Sequence, residues 1–133
     1  MKVVWTNGCF DILHRGHIEM LEYAKSVGDY LVVGVDTDKR VRGSKGDSRP
    51  INTMEDRVRL LESIKYIDKV CWFDSDEELD TQVLSSGAEV IVVGSEYRNK
   101  NVIGSRHVEE VKFYEKIDGY STTKTISKLN GEA

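Results

Sequence analysis

Apolar residues cluster along this chain in two alternating ways, as short unbroken runs and as spaced positions on one helical face. Lys2–Thr6 (KVVWT), Asp29–Val35 (DYLVVGV), Lys69–Phe73 (KVCWF) and Ala88–Val93 (AEVIVV) are short and rich in β-branched residues, and read as buried strands. Lys112–Ile117 is a weaker fifth run. Between the first two strands, Ile18, Met20, Leu21, Ala24 and Val27 share a helical face that Gly28 closes near a C-cap position. Thr53 followed by Asp56 predicts a helix start, with Val58, Leu60, Leu61, Ile64 and Ile67 turned inward. Glu77–Ser86, ended by Gly87, and Ser121–Leu129 read as two further helices.

Strand and helix in alternation predict a parallel sheet covered on both faces. The expected fold is α/β: a single Rossmann-like, three-layer domain over residues 1–133 with a five-stranded parallel sheet. Ligands of such sheets bind at the carboxyl ends of the strands, where the strand order reverses. Three segments leave strands at that edge: 7–17, 37–50 and 94–100. Residues 38–52 and 94–104 read as long loops, and long loops in compact domains are usually functional.

Composition narrows the class. A chain of 133 residues with 39% hydrophobic and 32% charged residues can bury a core and is expected to be a soluble globular protein, neither disordered nor membrane-bound. No apolar run approaches the ~18 residues of a membrane helix, and the apolar start is too short for a signal peptide. The expectation is a cytoplasmic protein with no membrane partner. Cys9 and Cys71 stand alone, outside any C-x-x-C spacing, so no disulfide framework is expected.

Charge is unevenly spread. Residues 39–59 hold Lys39, Arg40, Arg42, Lys45, Arg49, Arg57 and Arg59 against Asp47, Glu55 and Asp56. That is a local +4 in a chain of net charge −4, so the remainder carries −8. A basic island in an acidic protein suits a compact anion better than nucleic acid.

The densest candidate chemistry is His14-Arg15-Gly16-His17, which follows the first strand through Asn7, Gly8, Cys9, Phe10 and Asp11. If a helix starts there, the two histidines share one face. Its free N–H groups and positive dipole end form an anion site. Gly16 lets a phosphate approach the backbone. Two idle histidines, or a metal held by His14, His17 and Asp11, are the competing readings. The metal lacks a further ligand from another strand, and Gly8, Gly16 and the strand–loop–helix setting favour phosphate. Neither G-x-G-x-x-G after the first strand nor G-x-x-x-x-G-K-[ST] is present, which disfavours a dinucleotide oxidoreductase and a P-loop ATPase.

GCFDILHRGH (8–17) resembles the G-x-F-D-x-x-H-x-G-H signature of the cytidylyltransferase-like nucleotidyltransferases. DGYSTTKTI (118–126) resembles that family's G-x-S-T-T-x-x-I segment, and together the motifs cover essentially the entire chain. The resemblance implies a nucleoside triphosphate, ATP or CTP, attacked at its α-phosphorus by the phosphate of a sugar or polyol. The nucleophile is already an anion, so charge neutralisation and positioning carry the catalysis.

His14, His17 and Lys45 are the expected catalytic groups. Asn7, Gly8, Cys9, Phe10, Gly16, Gly94, Glu96, Gly119, Ser121, Thr122 and Thr123 are expected with the two histidines around the nucleotide. Asp11, Asp36, Arg42 and Arg57 are expected on the acceptor side. Mg2+ would bridge the phosphates, its ligands mostly phosphate and water, with Asp11 a further candidate. A homodimer is implied by the resemblance alone.

SKGDSRPIN (44–52) is similar to a segment of heptose 1-phosphate adenylyltransferases, which is the preferred subfamily. VGSEYRNKNVIGS (93–105) looks like their G-G-D-Y segment with Glu96 for Asp. The glycerol-3-phosphate cytidylyltransferases are the rival, on GDYLVVGVDTD (28–38) and the STTK order, although they usually carry Arg where this chain has Lys116. A non-catalytic nucleotide-binding sensor is the alternative from another class.

Overall fold

The computed structural model describes residues 1–116 and 119–131. Ile117, the predicted end of the fifth strand, and Asp118, the first residue of the second motif, lie outside the described residues, as do residues 132 and 133. Five strands form one parallel sheet: β1 (Val3–Gly8), β2 (Tyr30–Asp36), β3 (Lys69–Phe73), β4 (Val90–Gly94) and β5 (Glu110–Tyr114). Their order is β3-β2-β1-β4-β5, so the direction of winding reverses between β1 and β4. The five helices are α1 (Arg15–Ser26), α2 (Asp38–Lys45), α3 (Met54–Glu62), α4 (Asp76–Ser86) and α5 (Thr122–Leu129). The expected Rossmann-like α/β architecture is the one observed. Among the described residues, no helix is long and apolar enough to cross a membrane.

Alternation along the central strands builds two cores. Val4, Leu31, Val33, Val35, Val90 and Val92 pack on one face with Leu21 and Ala24 of α1 and Leu61 of α3. Trp5, Val32, Phe73 and Ile91 pack on the other with Leu79 and Val83 of α4. Each strand contributes to both faces because successive side chains point opposite ways. That is why these runs lack a polar face.

Three boundaries differ from expectation. Residues 38–45, read as loop, form α2, capped by Thr37, whose hydroxyl accepts the Arg40 N–H. Val41 is the one buried residue of this helix, so no apolar period announced it. α3 stops at Glu62 rather than running to Ile67, and Leu60 faces outward at 47% exposure, while Ile64 and Ile67 still pack from the following turns. β5 begins and ends earlier than predicted, its register set by pairing Glu110–Tyr114 with Val90–Gly94.

Register also opens the functional edge. β1 pairs with β2 along all six of its residues but with β4 only at Val4–Val90 and Trp5–Ile91. Beyond that point the Thr6 hydroxyl donates to Val92 O at 2.8 Å, a side chain standing where a ladder bond would be. The carboxyl ends of β1 and β4 therefore part at the switch point, where such sheets bind ligands.

Gly34 of β2 lies beneath the indole of Trp5, and a Cβ there would stand 2.5 Å from Trp5 Cζ2 and 3.1 Å from Phe73 Cε1. Both rings are buried in the sheet and cannot swing away. Gly34→Ala is expected to destabilise the fold by about 1–3 kcal/mol, the usual cost of overpacking. Urea titration should show a lower midpoint at unchanged slope.

Candidate active site

At this edge a cavity of about 520 Å³ is lined by the residues that follow β1, β2 and β4 and by the start of α5. Of the residues proposed from sequence, Asn7, Gly8, Cys9, Phe10, Asp11, His14, Gly16, His17, Lys45, Gly94, Glu96, Ser121, Thr122 and Thr123 line it. Asp36, Arg42, Arg57 and Gly119 do not. Leu79, Val93, Val102 and Ile103 supply an apolar part of the wall, and Arg40, Arg49, Lys116 and Tyr120 also border it.

The histidines are held by the helix they begin. His14 is the N-cap of α1, and its Nδ1 accepts the Gly16 N–H at 3.1 Å. The His17 Nδ1 in turn accepts the His14 N–H at 3.1 Å, closing a capping box built from two imidazoles. A ring nitrogen that accepts a backbone N–H carries no proton, so in each neutral imidazole the proton sits on Nε2. Both rings thus keep an Nε2–H donor while spending Nδ1 on the helix. The rings lie against each other at 3.9 Å between centroids, tilted by 32°. A Cβ on Gly16 would fall 2.9 Å from His14 Cε1 and 3.1 Å from Tyr120 Cβ, so glycine at 16 is needed for this packing as well as for access.

Electrostatics reinforce the neutral form. Burial, then the neighbouring His14, Lys116 and Lys45, push His17 down to about 4. Burial and Lys116 lower His14 as well. Glu96 pairs with Lys116 at 2.9 Å across the mouth. Burial pushes the Glu96 carboxyl up, but hydrogen bonds from Lys116 and the backbone, together with the charges of Lys116 and Lys100, hold it below its ordinary value.

The loop between β1 and α1 is fastened from beneath. Phe10 and Ile12 both adopt left-handed backbone (φ 53 and 52), uncommon for a non-glycine residue and costly for a β-branched one. Asp11 between them points inward and is 1% exposed. Its carboxylate accepts Ile51 N at 2.6 Å and Asn52 N at 2.9 Å, with Arg49 Nε at 3.4 Å.

Arg57 of α3, expected on the acceptor side, is fully buried instead. It donates to Asn52 O at 3.1 Å, Cys9 O at 2.7 Å and Asp38 Oδ1 at 2.8 Å. Its polar fork is spent on the scaffold. Asp36 faces Arg40, accepting from its Nε at 2.7 Å, and Arg42 is exposed outside the cavity wall.

The hydroxyl triplet divides its labour. Ser121 caps α5, accepting Lys124 N at 2.9 Å. The Thr122 hydroxyl donates to Asp11 O, tying α5 to the β1–α1 loop. The Thr123 hydroxyl has no hydrogen bond among the described residues and stays available at the cavity. Gly119 turns the chain into α5 with φ +88 but stands outside the wall.

These features join two helix starts, two neutral imidazole donors and two lysines on one cavity. The chain matches the cytidylyltransferase-like family over residues 5–128. It belongs to that family. It is 45% identical to the bifunctional protein HldE of Campylobacter fetus subsp. fetus over 129 residues, which is 97% of this chain and 28% of that protein. HldE of a Marinomonas species is 44% identical over 133 residues, again 97% and 28%. The chain spans little more than a quarter of the length of these relatives.

The lipopolysaccharide core biosynthesis protein from Thermoplasma volcanium has a similar structure (TM-score 0.73, 30% identity, 89% of this chain and 99% of that one). Pantothenate synthetase from Thermus thermophilus shares the fold at a TM-score of 0.61 and 15% identity, over 96% of this chain and 64% of that one. Family membership makes the chain a nucleotidyltransferase.

No group of three or more His, Cys, Asp or Glu suited to a metal ion occurs among the described residues. Asp11, the carboxylate considered for Mg2+, has both oxygens committed to N–H donors. The donor set does not fit an ion caged by this chain.

Arg49 and Lys116 escaped the sequence reading as site residues. Arg49 was one charge of the basic island, and Lys116 only a departure from a family pattern.

Two measurements follow from this geometry. Arg57→Ala removes three hydrogen bonds and a fully buried side chain and is expected to cost about 2–4 kcal/mol, from lost packing and the unpaired Cys9 O and Asn52 O; chemical denaturation reads it. The second concerns pH. Between about 6.5 and 4 the unfolded chain protonates His17 and the folded chain does not. Its contribution to stability is therefore complete above about 6.5 and is lost as pH falls towards 4. Stability measured across that window should slope less in His17→Asn, which keeps an acceptor for the His14 N–H.

Proposed function

We propose that the chain transfers the adenylyl group of ATP to the phosphate of heptose 1-phosphate. An acceptor phosphate oxygen bonds to the α-phosphorus, the bond from that phosphorus to the α–β bridging oxygen breaks, and pyrophosphate leaves. The observation that carries the reading is that Lys45 and Arg49, both from the adenylyltransferase-like segment SKGDSRPIN, line the same cavity as His14 and His17. Similarity to the HldE proteins supports the same choice.

In this reading the triphosphate lies across the starts of α1 and α5. The Nε2–H groups of His14 and His17 donate to its oxygens, with Thr123 and Lys45 completing the neutralisation. Neutral imidazoles suit the task because Nδ1 must stay unprotonated to hold the helix. Glu96 and Gly94 sit by the base and sugar. Mg2+ would enter as part of the triphosphate substrate and supply further charge neutralisation there.

The second reading is glycerol-3-phosphate cytidylyltransferase, favoured by GDYLVVGVDTD (28–38) and the STTK order at 121–124. Pyrophosphate release from ATP and CTP, each paired with heptose 1-phosphate and glycerol 3-phosphate, separates them. Turnover with ATP and heptose 1-phosphate alone is the expected result. Turnover only with CTP and glycerol 3-phosphate would replace the first reading by the second. In the same assay His17→Ala should lower kcat by about 10²–10³, the scale of one lost preorganised donor; near-normal release by the folded variant would remove His17 from the mechanism.

A further inference from the structure

Among the described residues one buried side-chain nitrogen has no hydrogen-bond partner: Arg49 Nη2. An unpaired buried donor costs about 1–3 kcal/mol, and more when it belongs to a charged group. The Arg49 side chain is only 11% exposed, and its one ionic contact, Nε to Asp11 Oδ2, is long at 3.4 Å. Asp11 is shared with Ile51 N and Asn52 N, whose bonds to its oxygens are shorter than that of Arg49. A guanidinium borders the cavity with its charge incompletely balanced by protein.

We infer that Arg49 binds the phosphate of the acceptor substrate. The inference rests on the adenylyltransferase reading and names a residue for its second anion. His14, His17 and Thr123 stand on the walls formed by α1 and α5, where that reading seats the triphosphate. Arg49 comes from a different element, the segment joining α2 to α3. Asp11 touches Nε only at the limit of a hydrogen bond, and Nη2 has no partner among the described residues. A planar fork fixes the orientation of a phosphate through two parallel bonds, which a lysine cannot do. Orientation is what an attacking phosphate needs, because alignment with the α-phosphorus sets the effective concentration of the nucleophile. Arg49 thus takes the place that the basic island had suggested for Arg42, which lies outside the wall.

The test is the KM for each substrate in Arg49→Gln and Arg49→Lys, read by pyrophosphate release with ATP and heptose 1-phosphate. KM for the sugar phosphate should rise about 10- to 100-fold in Arg49→Gln, the loss of charge-assisted hydrogen bonds. KM for ATP should change less than about threefold, by the same reckoning. Arg49→Lys keeps a cation beside Asp11, decides the question if the glutamine variant does not fold, and should show the same split to a smaller degree. A rise in KM for ATP instead would put Arg49 on the triphosphate. Unchanged KM values with a lowered urea midpoint would make it a counter-ion to Asp11. Either result overturns the inference alone. Failure of the unaltered protein to release pyrophosphate with this pair or the cytidylyl pair would overturn the reaction reading and the inference with it.

Discussion

A buried pair of charged side chains holds the catalytic edge together. Asp11 reaches down from the β1–α1 loop to the backbone ahead of α3, and Arg57 reaches up from α3 to Cys9 O and across to Asp38. Neither side chain is accessible to ligand in bulk, yet both lie within a few residues of groups that are. Charges buried this deeply persist only when every lone pair and N–H finds a partner. Asp11 and Arg57 meet that condition by binding backbone groups of each other's segment. The strained backbone at Phe10 and Ile12 is tolerated because these bonds over-determine it.

The capping box of His14 and His17 depends on that frame. Once the loop is pinned, α1 can start only at Arg15, and the two imidazoles become its cap. Capping normally consumes a hydroxyl or a carboxylate that has no further use. Here it consumes Nδ1 and leaves Nε2–H, so helix stability and anion recognition draw on opposite edges of the same rings. Burial and nearby cations keep the rings neutral, which protects the cap. Thr122 then ties α5 to Asp11 O, so a second helix start joins the same wall.

Much of this was legible in the chain. The apolar runs marked the sheet because strands buried on both faces need little else, and the histidine and hydroxyl motifs marked the anion site because glycine, imidazole and hydroxyl at a helix start have few other uses together. α2 was missed because one buried valine in eight residues sets no period. Arg57 was misplaced because an arginine in a basic island reads as surface charge, and only packing shows that its fork is used up internally.

The sequence by itself determined the layer architecture, the edge at which the cavity lies and the reaction class, since these follow from periodicity and from residue types at short spacing. The tertiary structure decided which cations face the cavity and which hold it open. Arg42, Lys45, Arg49 and Arg57 lie within sixteen residues and look alike as charges. Arg42 is exposed outside the cavity wall, Lys45 and Arg49 border the cavity, and Arg57 is sealed in the scaffold. The reason is physical: a side chain's role is set by where its polar atoms find partners, and those of Arg49 and Arg57 come from the β1–α1 loop, the segment before α3 and α2.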